Sequence, residues 1–135
     1  MPIKNNKNNQ YIIEIRQKEN LKNINRMILL DRKRKIVKDF LDLIILHFVS
    51  IAPRSGYDII VHISVKYKII MSSGVIYGFL YKLERNRMLI GYWNGRKRIY
   101  TLSQEGQNYM QKQQKLLDSM IQFVINFFKD LKHEI

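Results

Sequence analysis

Residues 89–106 read LIGYWNGRKRIYTLSQEG, and the rest of the chain can be placed around them. Leu89 to Trp93 and Lys97 to Leu102 have the apolar and β-branched character of two short strands. Asn94-Gly95 between them supplies the positive backbone angles that a tight hairpin demands. Three cations, Arg96, Lys97 and Arg98, follow the turn directly. Ser103 then stands where a helix cap belongs, with Gly106 in the first turn after it. A basic-tipped hairpin running straight into a helix is the wing of a compact helical domain.

Moving toward the amino terminus, Ser72 or Ser73 can cap a helix through Ile76, Phe79, Leu80 and Leu83 that stops near Met88. With those residues turned inward, Tyr77, Gly78, Tyr81, Lys82 and Arg85 face outward. Tyrosines and cations on one helix face suit a DNA major groove, with Ser72 and Ser73 near phosphates and Arg or Lys at guanine edges. An ordinary solvated face is the competing reading. Gly78 weighs against it, because glycine costs a helix about 1 kcal/mol relative to alanine; close approach of DNA or tight packing against the preceding helix would each explain its presence. Ser55 can cap an earlier helix through Tyr57, Ile59, Ile60 and Ile63, ending near Lys66. Before that, Ile36, Phe40, Leu43, Ile44, Leu46 and Phe48 form the stripe of a helix ending near Ser50, and Pro53 forbids its continuation. Trp93 is expected to pin the hairpin to the core.

Toward the carboxyl terminus, one helix is expected from Ser103 to about Leu131. It bears two apolar seams; Leu117, Ile121, Phe123, Val124, Phe127 and Phe128 are too much apolar surface to leave in water, and Leu117, Met120, Ile121, Val124, Phe127, Phe128 and Leu131 are the expected dimer interface. One seam can pack inside its own domain. The second needs another partner, either a segment of the same chain or a second copy, and a twofold homodimer is the economical source.

The chain has 135 residues with 24 Lys and Arg against 11 Asp and Glu, a formal net charge of +13. Residues 1–35 alone contribute +7. Residues 4–10 are Lys, Asn and Gln with no side chain to bury, which reads as a tail; Leu21, Ile24 and Ile28 suggest a short helix over about 17–30. Arg32, Lys33, Arg34 and Lys35 are candidates for a DNA-contacting arm, a targeting signal or a solvated helix start. So basic a small domain has a polyanion as its expected partner, through counterion release from phosphates.

Cysteine is absent, which removes disulfides, thiolate metal sites and thiol nucleophiles. His47, His62 and His133 have no metal-ligand spacing, and no phosphate loop or nucleophile motif occurs. We therefore expect no catalytic residues, no metal and no cofactor. The run Phe40–Ala52 is too short to span a bilayer and the first ten residues are polar, so the expected location is the cytoplasm, at the nucleoid, with no membrane partner.

Four segments in order make the sequence similar to the PadR-like transcriptional regulators. Phe-Leu-Asp-Leu-Ile-Ile-Leu (40–46) resembles that family's first-helix opening, and Ser-Gly-Tyr-Asp-Ile (55–59) its second-helix start. Gly-Val-Ile-Tyr-Gly-Phe-Leu-Tyr-Lys-Leu-Glu (74–84) resembles its reading helix, and Tyr-Trp-Asn-Gly-Arg-Lys-Arg-Ile-Tyr-Thr-Leu-Ser-Gln-Glu-Gly (92–106) its wing. The resemblance covers about residues 38–110. Val75 stands where the family often has Thr, and Gly78 where it often has Pro, both on the reading face. The resemblance implies a homodimer held by the final helix, a pseudo-palindromic operator and, in most members, repression. Some relatives also take a small aromatic effector between the dimerising helices, although no pocket for one is legible here.

The expected fold is thus mainly α with a small β-hairpin (α+β): a basic segment 1–35, a winged helix-turn-helix over 36–102 and a dimerisation helix over 103–135. The expected function is that of a double-stranded DNA-binding transcriptional regulator whose reading face comprises Ser72, Ser73, Val75, Tyr77, Gly78, Tyr81, Lys82 and Arg85. Asn94, Arg96, Lys97 and Arg98 are the expected wing contacts. Two other readings are an architectural DNA-coating protein without sequence choice and a winged protein-interaction module.

Overall fold

The computed structural model describes residues 3–133; the first two residues of the 1–35 segment and the last two of the 103–135 segment lie outside them. Two units are distinct, residues 1–39 and residues 40–135.

The first unit is one helix, α1 (Ile3–Asp39). It replaces the expected tail and short helix with 37 continuous residues. No Gly or Pro interrupts residues 3–52, and the Lys, Arg, Gln, Glu, Leu and Met that make up about half of α1 are good helix formers that offset its weaker Asn and Ile, so no breaker stops propagation. Its side chains from residue 6 to residue 36 are exposed. The apolar ones are scattered around its circumference rather than gathered in a stripe.

The second unit begins at Phe40, whose backbone (φ −106°, ψ 17°) leaves the helical region. The helix expected from Ile36 to Ser50 is therefore broken there, and α2 (Leu41–Ile51) starts afresh. Its buried residues are Leu41, Ile45, Leu46 and Val49, while Ile36 is exposed on α1. The expected stripe was out of phase because a helix that is apolar nearly all round gives periodicity no contrast to lock onto. A two-residue strand, β1 (Arg54–Ser55), follows. Then come α3 (Gly56–Tyr67) and α4 (Ser73–Arg85), the hairpin β2 (Leu89–Asn94) and β3 (Lys97–Leu102), and α5 (Gln104–Lys115) and α6 (Leu117–Lys132).

The caps read from sequence form. The Ser55 hydroxyl accepts from the Asp58 amide at 3.1 Å while the Asp58 carboxylate accepts from the Ser55 amide at 2.9 Å, a full capping box. Ser72 accepts from the Val75 amide at 3.3 Å and Ser103 from the Gly106 amide at 3.0 Å. The three strands are antiparallel in the order β1-β3-β2. Gly95 turns the hairpin at φ +62°. β1 pairs Arg54 with Tyr100 and Ser55 with Ile99; two residues are too few to show strand alternation, so the sequence gives no sign of it.

The core of this unit lies between α2, α3, α4 and the sheet. Leu41, Ile45, Leu46, Ile59, Ile63, Ile69, Ile76, Leu80 and Leu89 are essentially fully buried, each stabilising the fold by about 1.5–3 kcal/mol relative to exposure. The Tyr109 hydroxyl on α5 donates to Asp42 on α2 at 2.8 Å. Gly106 is needed for space: a Cβ there would sit 2.1 Å from the Met88 carbonyl oxygen. The expected single final helix is interrupted at Leu116, whose amide bonds back three residues to Gln113 as in a tighter turn.

Candidate nucleic-acid interface

Helix α4 ends at Arg85, the chain turns away through Asn86 and Arg87 (φ +61°), and the inward ridge of Ile76, Leu80 and Leu83 anchors the helix to the core. That anchoring fixes the opposite side. Ser72, Ser73, Tyr77, Gly78, Tyr81, Lys82 and Arg85 are all exposed, and Val75 is half-buried at the edge. Phe79, expected inside, is half-buried. No heavy atom outside its own helix lies within 4 Å of a Cβ built at Gly78. Packing against α3 therefore does not explain the glycine, since a side chain there would meet only open space.

The two exposed tyrosines are not equivalent. The Tyr77 ring covers the backbone of Gly56, where a Cβ would meet it at 2.5 Å. Tyr81 is 67% exposed, one helical turn further on. Glycine at 56 thus seats Tyr77 against the start of α3, a relation that residue spacing does not reveal.

The wing lies beside this face. Asn94, Arg96 and Lys97 at its tip are exposed. Trp93, expected to pin the hairpin to the core, is instead 66% exposed. Its strand-mates Gly91 and Leu89 point toward α4 and the core, and period-two alternation sends Trp93 the same way only until the twisted hairpin outruns the domain. The Arg98 guanidinium lies over the Trp93 ring at 5.2 Å. Arg98 also pairs with Glu84 of α4, joining wing and helix. Two clefts result. Tyr57, Tyr77, Trp93, Arg96, Lys97 and Tyr100 line one of about 340 Å³; Tyr81, Glu84, Arg85 and Arg98 line the other. Burial pushes the Tyr100 hydroxyl above its ordinary value, and the Glu84 charge adds to the effect.

The remaining candidates lie elsewhere. Arg32, Lys33, Arg34 and Lys35 are exposed near the end of α1, with Lys35 paired to Asp31 at 3.2 Å. On α6 no residue is buried: Ile121, Val124, Phe127, Phe128 and Leu131 are exposed, and Leu117 and Met120 half-buried. Among the described residues no group of three His, Cys, Asp or Glu could hold a metal ion, and no helix is long and apolar enough to cross a membrane. Glu84 was missed in the sequence because no spacing rule joins a helix residue to a strand residue fourteen positions later.

A helix pair, α3 and α4, joined by five residues, with α2 behind and a basic hairpin alongside, defines the winged helix-turn-helix class of DNA-binding domains. Within that class the chain belongs to the PadR-like family of transcriptional regulators, whose sequence model matches residues 45–112. Membership places it among transcriptional regulators and not among enzymes. Solved structures share the fold. A transcriptional regulator from Clostridium thermocellum is 24% identical, with a TM-score of 0.61 over 70% of this chain and 94% of that one. A PadR family regulator from Eggerthella lenta is 19% identical, with a TM-score of 0.64 over 84% and 97%. A PadR-like regulator from Bacillus cereus is 20% identical, with a TM-score of 0.58 over 74% and 99%. No curated protein sequence matches the chain significantly.

Proposed function

We propose that this regulator acts as a homodimer in the cytoplasm, at the nucleoid, binding a pseudo-palindromic double-stranded operator and repressing the adjacent gene. The observation that supports this most is the exposed ridge of Tyr81, Lys82 and Arg85 on α4 beside the exposed Arg96 and Lys97 of the wing. In this reading Arg85 and Lys82 meet base edges in the major groove, with Tyr77, Tyr81 and Val75 lining the approach. Gly78 lets the backbone come close. Ser72 and Ser73 donate hydroxyl protons to phosphates, while Asn94, Arg96 and Lys97 hold the flanking backbone. Leu117, Met120, Ile121, Val124, Phe127, Phe128 and Leu131 meet their counterparts across the twofold axis. Arg98 was grouped with the wing contacts from sequence, but its pairing with Glu84 supports a different role.

Selection of duplexes from a randomised pool, followed by footprinting, tests the reading. A selected duplex should bind at least about 10³-fold more tightly than its scrambled form at ~150 mM salt, with half-sites roughly 34 Å apart. A ratio near one would instead establish the coating protein that the +13 charge and basic α1 also suit. Duplex binding that is absent altogether, with capture of an acidic protein, would establish the interaction module. Arg85→Ala should cost about 1–3 kcal/mol on the selected duplex and relax its sequence requirement. Lys97→Ala should weaken all duplexes alike and reduce the slope of log affinity against log salt by about one.

A further inference from the structure

An ion pair links the wing to the reading helix. Arg98 of β3 faces Glu84 of α4, with Nη2 and Nε directed at the two carboxylate oxygens, the longer contact being 3.5 Å. Nη2 also lies 3.5 Å from the Gly91 carbonyl oxygen of β2. The guanidinium carbon also lies 5.2 Å from the centre of the Trp93 ring. The Arg98 and Glu84 side chains are each only 29% exposed. Gly91 makes the arrangement possible: a Cβ there would stand 2.6 Å from Glu84 Oε1 and 2.8 Å from Arg98 Nε and Nη2. Three elements, α4, β2 and β3, therefore converge on one planar cation.

The charge logic is unusual for a phosphate-binding face. A carboxylate beside Tyr81 and Arg85 repels DNA by simple Coulomb interaction, so removing it should strengthen binding unless it does something else. An arginine at a wing tip would ordinarily reach for phosphate, yet this one is turned toward the protein with most of its donors occupied. A planar, forked pair fixes orientation as well as distance.

We propose that Glu84 and Arg98 are positioning residues that set the angle of the wing against the reading helix, so that sequence discrimination depends on both while neither touches DNA. This rests on the DNA-reading function proposed above. With the pair intact, Lys97 and Arg96 meet phosphates only when Arg85 is in register with its bases. With the pair broken, the wing finds phosphates wherever the helix sits, and discrimination falls while general affinity persists.

The test uses the full chain, a duplex selected by the wild-type protein from a randomised pool, and its scrambled form. Glu84→Gln, Arg98→Gln, the double variant and the exchange Glu84→Arg with Arg98→Glu are compared. The selected-to-scrambled ratio should fall about tenfold or more in the singles and the double, and recover toward wild type in the exchange. The double variant, whose net charge equals that of the wild type, should keep the wild-type salt slope. A ratio unchanged in Glu84→Gln, with both duplexes bound more tightly, overturns the proposal. So does Arg98→Gln with an unchanged ratio and a slope reduced by about one, which is the signature of a plain phosphate contact. Trp93, the chain's one tryptophan, reports on the pair without DNA. Its emission should change in Glu84→Gln at unchanged melting temperature, and unchanged emission overturns the clamp itself. A wild-type protein that selects no duplex overturns the DNA-reading function instead, and the emission result still judges the pair. If a single variant fails to fold, the exchange variant carries the comparison.

Discussion

At the scale of single residues, glycine and histidine carry the sharpest consequences. Gly78 sits in mid-helix with open space where its side chain would be. Gly78→Ala should therefore raise the stability of the free protein by up to about 1 kcal/mol, seen as a higher melting temperature, and weaken duplex binding if the backbone approaches DNA there. Higher stability with unchanged DNA affinity would remove Gly78 from the interface. His62 stacks on Phe48 at 3.8 Å, and Arg54 lies 4.0 Å over that same ring. Burial holds the His62 imidazole below its ordinary value, with Lys66, Arg54 and His47 adding repulsion. The unfolded chain consequently takes up this proton first as pH falls, so the contribution of His62 is complete above about pH 6.5 and is lost below it. Thermal melts from about pH 7 to about pH 5 should show a smaller decline in His62→Phe than in wild type. At this scale the outward face of α4 was legible, because an amphipathic helix with strong contrast fixes its own phase. Trp93, Glu84 and the seat of Tyr77 on Gly56 were not, because each depends on contacts between elements distant in sequence.

Elements follow the same rule of contrast. The caps at Ser55, Ser72 and Ser103 and the Asn94-Gly95 turn rest on local chemistry, and α3, α4, β2 and β3 start where those residues put them. The stripe of α2 was misphased and β1 unseen, since one is apolar nearly all round and the other is two residues long. Helix α6 was legible as an apolar surface but not as a separate element, because Leu116 departs from the helix without a Gly or Pro to mark it. None of its side chains is buried within the chain, so charged substitutions there leave the core untouched. Ile121→Asp combined with Phe128→Asp should weaken self-association by at least about 100-fold, read by sedimentation at micromolar concentration. The melting temperature extrapolated to low concentration should stay that of the wild type. Loss of the folded winged domain in this variant would assign α6 to the core instead.

For the whole molecule, the division at residues 39 and 40 separates two kinds of task. The second unit holds the core, the exposed face of α4 and the wing. The first holds more than half of the net positive charge within its first 35 residues and no comparable core. Deleting residues 1–35 should leave the helical and sheet content of residues 40–133 intact by circular dichroism. It should also flatten the salt dependence of binding by several units, roughly 0.9 for each phosphate contact removed. An unchanged slope would show that the basic helix does not engage the duplex. The carboxyl-terminal helices carry a mechanical corollary of their own. Leu116 is the one-residue junction at the base of a rod of about 24 Å. Ten degrees of tilt at that joint would sweep the far end through ~4 Å, so whatever grips Phe128 and Leu131 holds the long arm of a lever whose short arm is α5, moored to α2 through Tyr109 and Asp42.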